Sequence, residues 1–159
     1  MPATLEDPAV IGIELPDRPE IAGLIADLNA YLLSLYRPEE CHHLTIEELK
    51  RPEVVFFTAR RGEEPVACGA LRMIGEGLGE VKRMYVAPSE QGRGLGRKIL
   101  EAIEWEARAR GLAALVLETG HAQPAALGLY RSAGFSPRGP YLDYPDNGVS
   151  IFMEKRLSD

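Results

Sequence analysis

The spacing of apolar and polar positions changes period several times along the chain, and each change marks an element. Ile21, Leu24, Ile25, Leu28, Leu32 and Leu35 recur at steps of three and four, which predicts an amphipathic helix over residues 17–36. Asp17 and Glu20 have the spacing of a capping pair at its start. A second, short helix is predicted from Thr45. Thr45 and Glu48 form a capping-box pattern, Leu44 and Leu49 stand at staple positions, and Pro52 closes the segment.

From residue 54 the pattern is that of strands. Val54 to Arg60 is β-branched and aromatic, Arg61 to Pro65 has turn chemistry, and Val66 to Ile74 reads as the returning strand. Gly75 to Gly79 is a second turn and Glu80 to Val86 a third strand. Connections this tight join antiparallel neighbours. The helical period then returns over residues 94–110 in Leu95, Ile99, Ala102, Ile103, Glu106 and Ala107, with Gly111 where a left-handed C-terminal residue belongs. Ala113 to Glu118 is a continuous apolar run, as in a buried strand. Pro124 to Ala133 reads as a short helix ended by Gly134, and Val149 to Arg156 as a last strand. The order is two helices, three meander strands, helix, strand, helix, strand, which predicts an α+β fold on a mixed sheet.

Composition narrows the function classes. A chain of 159 residues fits one domain and buries enough surface to need no staple. The 18 Lys and Arg stand against 24 Asp and Glu, a net charge of −6, which argues against nucleic-acid binding. No apolar run approaches the ~18 residues of a membrane span, and Met1 to Glu20 carries five acids and reads as neither a secretory signal nor a transit peptide. The expected location is cytoplasmic, with Cys41 and Cys68 as reduced thiols. His42, His43 and His121 lack the partners that a metal site needs, so no metal is expected.

Charge and glycine are unevenly placed. Between Lys82 and Lys98 five basic residues meet one acid, so this window is +4 and the remainder −10. Seven of the 16 glycines fall between Gly69 and Gly96. In Gln91-Gly92-Arg93-Gly94-Leu95-Gly96-Arg97-Lys98 a glycine-rich loop leaves a strand and opens a helix. Backbone amides there lack intrahelical partners and point at an anion, with Arg93, Arg97 and Lys98 beside them. This is the chemistry of a pyrophosphate cradle. The spacing is not that of a P-loop, and the preceding strand comes from a meander rather than a βαβ unit, which disfavours a dinucleotide site.

Gln91-Gly92-Arg93-Gly94-Leu95-Gly96 resembles the (Gln/Arg)-x-x-Gly-x-(Gly/Ala) signature of the GNAT superfamily of acyl-CoA-dependent N-acyltransferases, directly after a strand ending in Tyr85-Val86-Ala87-Pro88. Leu129-Tyr130-Arg131-Ser132-Ala133-Gly134-Phe135 is similar to the family's LY-x-x-x-GF motif. The resemblance covers residues 54–157. A narrower likeness, in Glu80 to Met84, Leu117 to Gly120, Pro140 to Tyr144 and Ser150 to Lys155, is to a bacterial subgroup whose substrate is poorly defined.

The resemblance implies a mostly antiparallel central sheet flanked by helices, with a splayed strand pair forming the acyl-CoA cleft. Residues 1–53 would be acceptor-side helices and residues 54–157 the sheet and acyl-CoA core of a single domain. Acetyl-CoA would be the co-substrate, its pyrophosphate on the amides of Gln91 to Gly96 with Arg97 and Lys98 following. Its pantetheine arm would lie along Met84, Tyr85 and Val86 like an added strand, with Gln123 where many family members carry an asparagine. Pro124 removes one backbone donor beside it. An amide near Met84 would polarise the thioester carbonyl. Tyr130 would serve the departing thiolate as acid, and Glu80 or Glu118 would be the general base. The acceptor would be a small-molecule amine, lined by Tyr31, Tyr36, His42, His43 and the Pro140 to Asn147 loop, with Arg72 set to bind an acceptor carboxylate or to pair with Glu80. Protein lysine acetylation, a non-catalytic acyl-CoA-binding module and another phosphate-binding protein are the alternatives. A homodimer is the family-level expectation.

Overall fold

A computed structural model describes residues 8–41 and 44–157. Seven strands form one sheet in the order β1-β2-β3-β4-β5-β7-β6. They are β1 (Ala9–Ile13), β2 (Val54–Arg61), β3 (Glu64–Gly75), β4 (Leu78–Val86), β5 (Ala114–Gly120), β6 (Ser136–Arg138) and β7 (Ser150–Arg156). The helices are α1 (Pro19–Leu35), α2 (Ile46–Leu49), α3 (Leu95–Ala109) and α4 (Pro124–Ser132). All pairings are antiparallel except that of β4 with β5, which α3 joins as a crossover.

Two strands go beyond the sequence expectation. β1 pairs with β2 at one edge, with Val10 and Ile13 more than half exposed. Its apolar signal is five residues long and half of it faces solvent, so no inward period stands out. At the other edge β6 is three residues long and carries Pro137, whose missing N–H is tolerated at an edge. A third difference lies at the start of α1. Pro19 occupies its first turn and Arg18 its N-cap with no side-chain cap bond, while Asp17 turns to Lys50 Nζ at 3.1 Å. The box at α2 forms as its spacing predicts, with Thr45 accepting from the Glu48 amide and Glu48 from the Thr45 amide.

The helices cover opposite faces of the sheet. Leu95, Ile99, Leu100, Ile103 and Ala107 of α3 are buried against Val81, Leu115, Leu117 and Met153, each large side chain stabilising by about 1.5–3 kcal/mol. Ile21, Leu24 and Ile25 of α1 pack with Leu44, Leu49, Phe56, Cys68 and Ala70 on the other face. A smaller cluster of Val116, Tyr141 and Phe152 covers the far end of that face.

What positions the site is a divergence in the middle of the sheet. β4 and β5 pair only from Leu78 opposite Ala114 to Val81 opposite Leu117. Beyond that, β4 stays with β3 as far as Val86 opposite Ala67, and β5 stays with β7 as far as Gly120 opposite Ser150. Each strand is held by its outer neighbour, so a wedge opens between them. A bulge marks the start of the divergence. Cys68 faces Tyr85 but Ala70 faces Lys82, and Arg83 sits in the extra position at φ 57°. A bulge increases local twist and turns the strand away from its partner.

Candidate active site

The wedge is a cleft lined from both strands and from both faces. Lys82, Arg83 and Met84 line it from β4, and Glu118, Thr119 and Gly120 from β5. Leu28, Leu32 and Tyr36 close it on the α1 side, and Gln123 and Tyr130 on the α4 side. Tyr130 is buried, its ring set edge-on to Phe135 at 5.8 Å. Burial alone pushes its phenol above the ordinary 10, so it is a held proton at neutral pH. Glu118 accepts a 2.6 Å hydrogen bond from Ser150 Oγ, which orients the carboxylate from the neighbouring strand.

Glu80 is placed differently. It is fully buried and does not belong to the cleft lining. Its Oε2 accepts from the Tyr141 hydroxyl at 2.6 Å and the Tyr144 hydroxyl at 2.8 Å. Arg72 Nη1 lies 3.4 Å from Oε1, and Lys82 Nζ 3.8 Å from Oε2. Burial, then the Glu80 charge, raises both phenols. Burial also lowers the Lys82 ammonium, against the pull of Glu80. Tyr141 and Tyr144 therefore roof a buried carboxylate, with their rings 5.1 Å apart, and Arg72 takes up the pairing with Glu80.

The glycine loop lies at the start of α3. Gly94 caps the helix at φ 81°, a left-handed conformation that favours glycine, and a Cβ there would meet nothing within 4 Å. Lys98 is the first residue to return a hydrogen bond, to the Gly94 carbonyl at 3.1 Å, so the amides of Leu95, Gly96 and Arg97 have no intrahelical acceptor. Gln91, Gly92, Arg93, Arg97 and Lys98 are exposed, whereas Leu95 is core. Gly96 packs beneath Leu129 and Val86. Arg97 bonds Ser132 Oγ of α4. The loop is anchored by a pair that the sequence did not announce, Arg61 Nε to buried Glu90 at 2.9 Å. An open glycine backbone, free amides and flanking cations fit a pyrophosphate.

Met84 lines the cleft, Tyr85 turns its ring to Tyr31 at 6.3 Å, and Val86 faces the start of α3. On its β5 side β4 has no strand partner from Lys82 to Val86 among the described residues, which leaves an edge for an extended arm. Gln123 accepts from the Tyr36 hydroxyl at 3.3 Å and Thr119 Oγ1 at 3.4 Å, and the same Tyr36 oxygen accepts the Ala122 amide at 3.2 Å. This contact needs Gly120, where a Cβ would come within 2.8 Å of Tyr36 Cε1 and closer to its hydroxyl. Of the expected acceptor lining, Tyr36 is in the cleft, Tyr31 lies on Tyr85, and His42 and His43 fall outside the described residues. Arg83 and Cys41 line the cleft without having been singled out. Their only sequence signals were the charge of the basic window and an isolated thiol. Among the described residues no group of three or more His, Cys, Asp or Glu is placed to hold a metal, and no helix is long and apolar enough to cross a membrane.

Comparison with known proteins gives the family. The Acetyltransferase (GNAT) family model matches residues 22–135. The chain is 46% identical over 148 residues to an IAA acetyltransferase of Azospirillum brasilense, covering 92% of this chain and 97% of that one. It is 36% identical, with a TM-score of 0.79, to a Klebsiella pneumoniae structure assigned to the acyl-CoA N-acyltransferases, over 94% of this chain and 97% of that one. The fold is shared with the PaiA N-acetyltransferase of Thermoplasma acidophilum in complex with coenzyme A, at 17% identity and a TM-score of 0.68 over 92% and 99% of the two chains. The chain belongs to the GNAT family of acetyl-CoA-dependent acetyltransferases.

Proposed function

We propose that the protein transfers the acetyl group of acetyl-CoA to the amine of a small molecule, by direct attack within a ternary complex. The observation that carries this is the meeting of Tyr130 and Glu118 in one cleft, approached from opposite faces of the sheet. Acetyl-CoA supplies the acetyl group as a thioester. The amides that open α3 hold its pyrophosphate, and the unpaired edge of β4 at Met84, Tyr85 and Val86 holds the extended arm.

The chain's own groups then divide the proton work. An incoming ammonium must lose its proton before it can attack, and Glu118 on β5 takes it, since the other carboxylate in the lining, Glu40, is held by the Arg37 amide at 2.9 Å. Tyr130 Oη holds a proton for the departing sulfur, and burial keeps it there at working pH. Glu80 positions rather than reacts, fixing Tyr141, Tyr144 and Lys82 beside the cleft.

Thiol release from acetyl-CoA tests the proposal with a panel of small amines, amino acids and lysine peptides. Release with small amines supports it. Release with peptides alone makes the protein a lysine acetyltransferase. Acetyl-CoA binding with no release on any acceptor makes it an acyl-CoA-binding module.

A further inference from the structure

Arg83 is a buried cation that no ion pair compensates among the described residues. Its guanidinium is buried, 6% exposed, and lines the cleft on the α1 side. Its one hydrogen bond goes from Nη2 to Asn29 Oδ1 of α1. Its Nε is the only buried side-chain nitrogen or oxygen without a partner among the described residues. The other buried cations differ: Arg61 pairs with Glu90 at 2.9 Å, and Lys82 lies 3.8 Å from Glu80. A buried guanidinium without an acid is strongly penalised, and here burial draws its pKa down to about 10. The backbone adds to this, since Arg83 occupies the bulge at φ 57°, a conformation that L residues disfavour. Two unfavourable features at one residue, aimed into a ligand cleft, call for a partner outside the chain.

The surrounding charges say what that partner is. Lys82 stands beside Arg83 on β4, while Glu118 lines the cleft from β5. Arg83, together with the carboxylates of Glu118 on β5 and Glu40 after α1, makes the cleft the complement of a molecule with both a carboxylate and an ammonium. We infer that the acetyl acceptor is an amine that also carries a carboxylate, an amino acid or a close analogue, with Arg83 receiving the carboxylate while Glu118 faces the amine. This rests on the proposed transfer and narrows its substrate class. The co-substrate does not meet the need: its anionic part belongs at the α3 loop, and the arm along β4 is neutral.

The test compares amino acids with their primary amides, which keep the amine and lose the negative charge. The acids are expected to be preferred in kcat/KM by about 10-fold or more, the discrimination expected of a buried charged hydrogen bond. Arg83→Gln raises the acceptor KM by a similar factor and leaves the acetyl-CoA KM unchanged, and Arg83→Lys restores part of the loss. Calorimetric titration of N-acetyl amino acids against their methyl amides gives a readout without turnover, and only the acids should bind. Arg83→Met separates fold from ligand, because removing an unpaired buried charge should leave the melting temperature equal or higher. Equal use of acids and amides, an Arg83→Gln effect on acetyl-CoA alone, or a large fall in melting temperature with Arg83→Met overturns the inference. Acetylation of amines that lack a carboxylate would leave the transfer reading standing. Binding of N-acetyl acids through Arg83 with no acetylation of any amine would do the reverse.

Discussion

The Tyr141 hydroxyl donates to Glu80 Oε2 at 2.6 Å, and Tyr144 donates to the same oxygen at 2.8 Å. With Arg72 and Lys82 also beside it, this carboxylate is committed to holding the Pro140 to Asn147 segment on the sheet. Glu118, on β5 opposite Phe152, lines the cleft. The two acids therefore differ in what their loss does. Glu118→Gln should leave the melting temperature nearly unchanged and lower kcat by about 100-fold or more. Glu80→Ala should destabilise by about 3–5 kcal/mol, because it strands buried Lys82 and two phenols around an empty site. Denaturant unfolding and steady-state rates of the two variants check this. A stable Glu80→Ala protein with unchanged midpoint and lost activity would reverse the assignment.

The Tyr130 hydroxyl makes no hydrogen bond to the described residues, and burial holds the phenol protonated. Tyr130→Phe should therefore cost little stability, because no protein group loses a partner. Its kcat should fall by about 100-fold, the lower range of acid catalysis. Because the folded-state pKa lies above the ordinary 10, wild-type kcat should show no loss from this group as pH rises to 9. A descending limb below pH 9 that vanishes in Tyr130→Phe would contradict the placement.

Much of this was legible in the sequence, and for physical reasons. The helical and strand periods of α1, α3 and β2 to β5 are long and have a buried face, so their residues repeat as the elements require. The loop from Gln91 to Gly96 stands out because glycines and amides without intrahelical partners fall together at one place. β1 and β6 were not legible, being short edge strands whose pairing comes from distant neighbours. That Glu80 is roofed while Glu118 lines the cleft was hidden as well. It depends on Tyr141 and Tyr144, some sixty residues beyond Glu80, folding back over one carboxylate. Arg83 could not be singled out, since a basic strand residue becomes exceptional only when burial and the missing acid are both known.

Tyr36 and Gly120 should behave as a single unit. A Cβ at Gly120 would overlap the Tyr36 ring that bonds Gln123 and the Ala122 amide. Gly120→Ala should destabilise by about 1–3 kcal/mol through overpacking. In a Tyr36→Ala background the three atoms nearest to that Cβ are removed, and the same change should cost clearly less. A double-mutant cycle by thermal or urea unfolding gives the coupling. Additive effects would show that the ring simply moves aside.

The edge strand β1 should be released by acid. Glu14 follows it directly, and its Oε2 accepts from Arg60 Nε at 2.7 Å and from the Thr58 hydroxyl. The Arg60 hydrogen bond, ahead of the opposing effect of burial, holds the Glu14 carboxyl below its ordinary 4.5. A carboxylate depressed in the folded state adds stability above its unfolded pKa and loses it as pH falls through the folded value. Wild type should therefore exceed Glu14→Gln by about 1–3 kcal/mol at pH 7, with the gap closing only as pH drops below 4.5. Urea unfolding of both proteins between pH 7 and 3 measures the gap. The amide exchange of Val10 and Gly12, paired with Arg60 and Thr58, should rise over the same range if the pair pins this strand. A gap independent of pH would assign the Glu14 contribution to packing rather than charge.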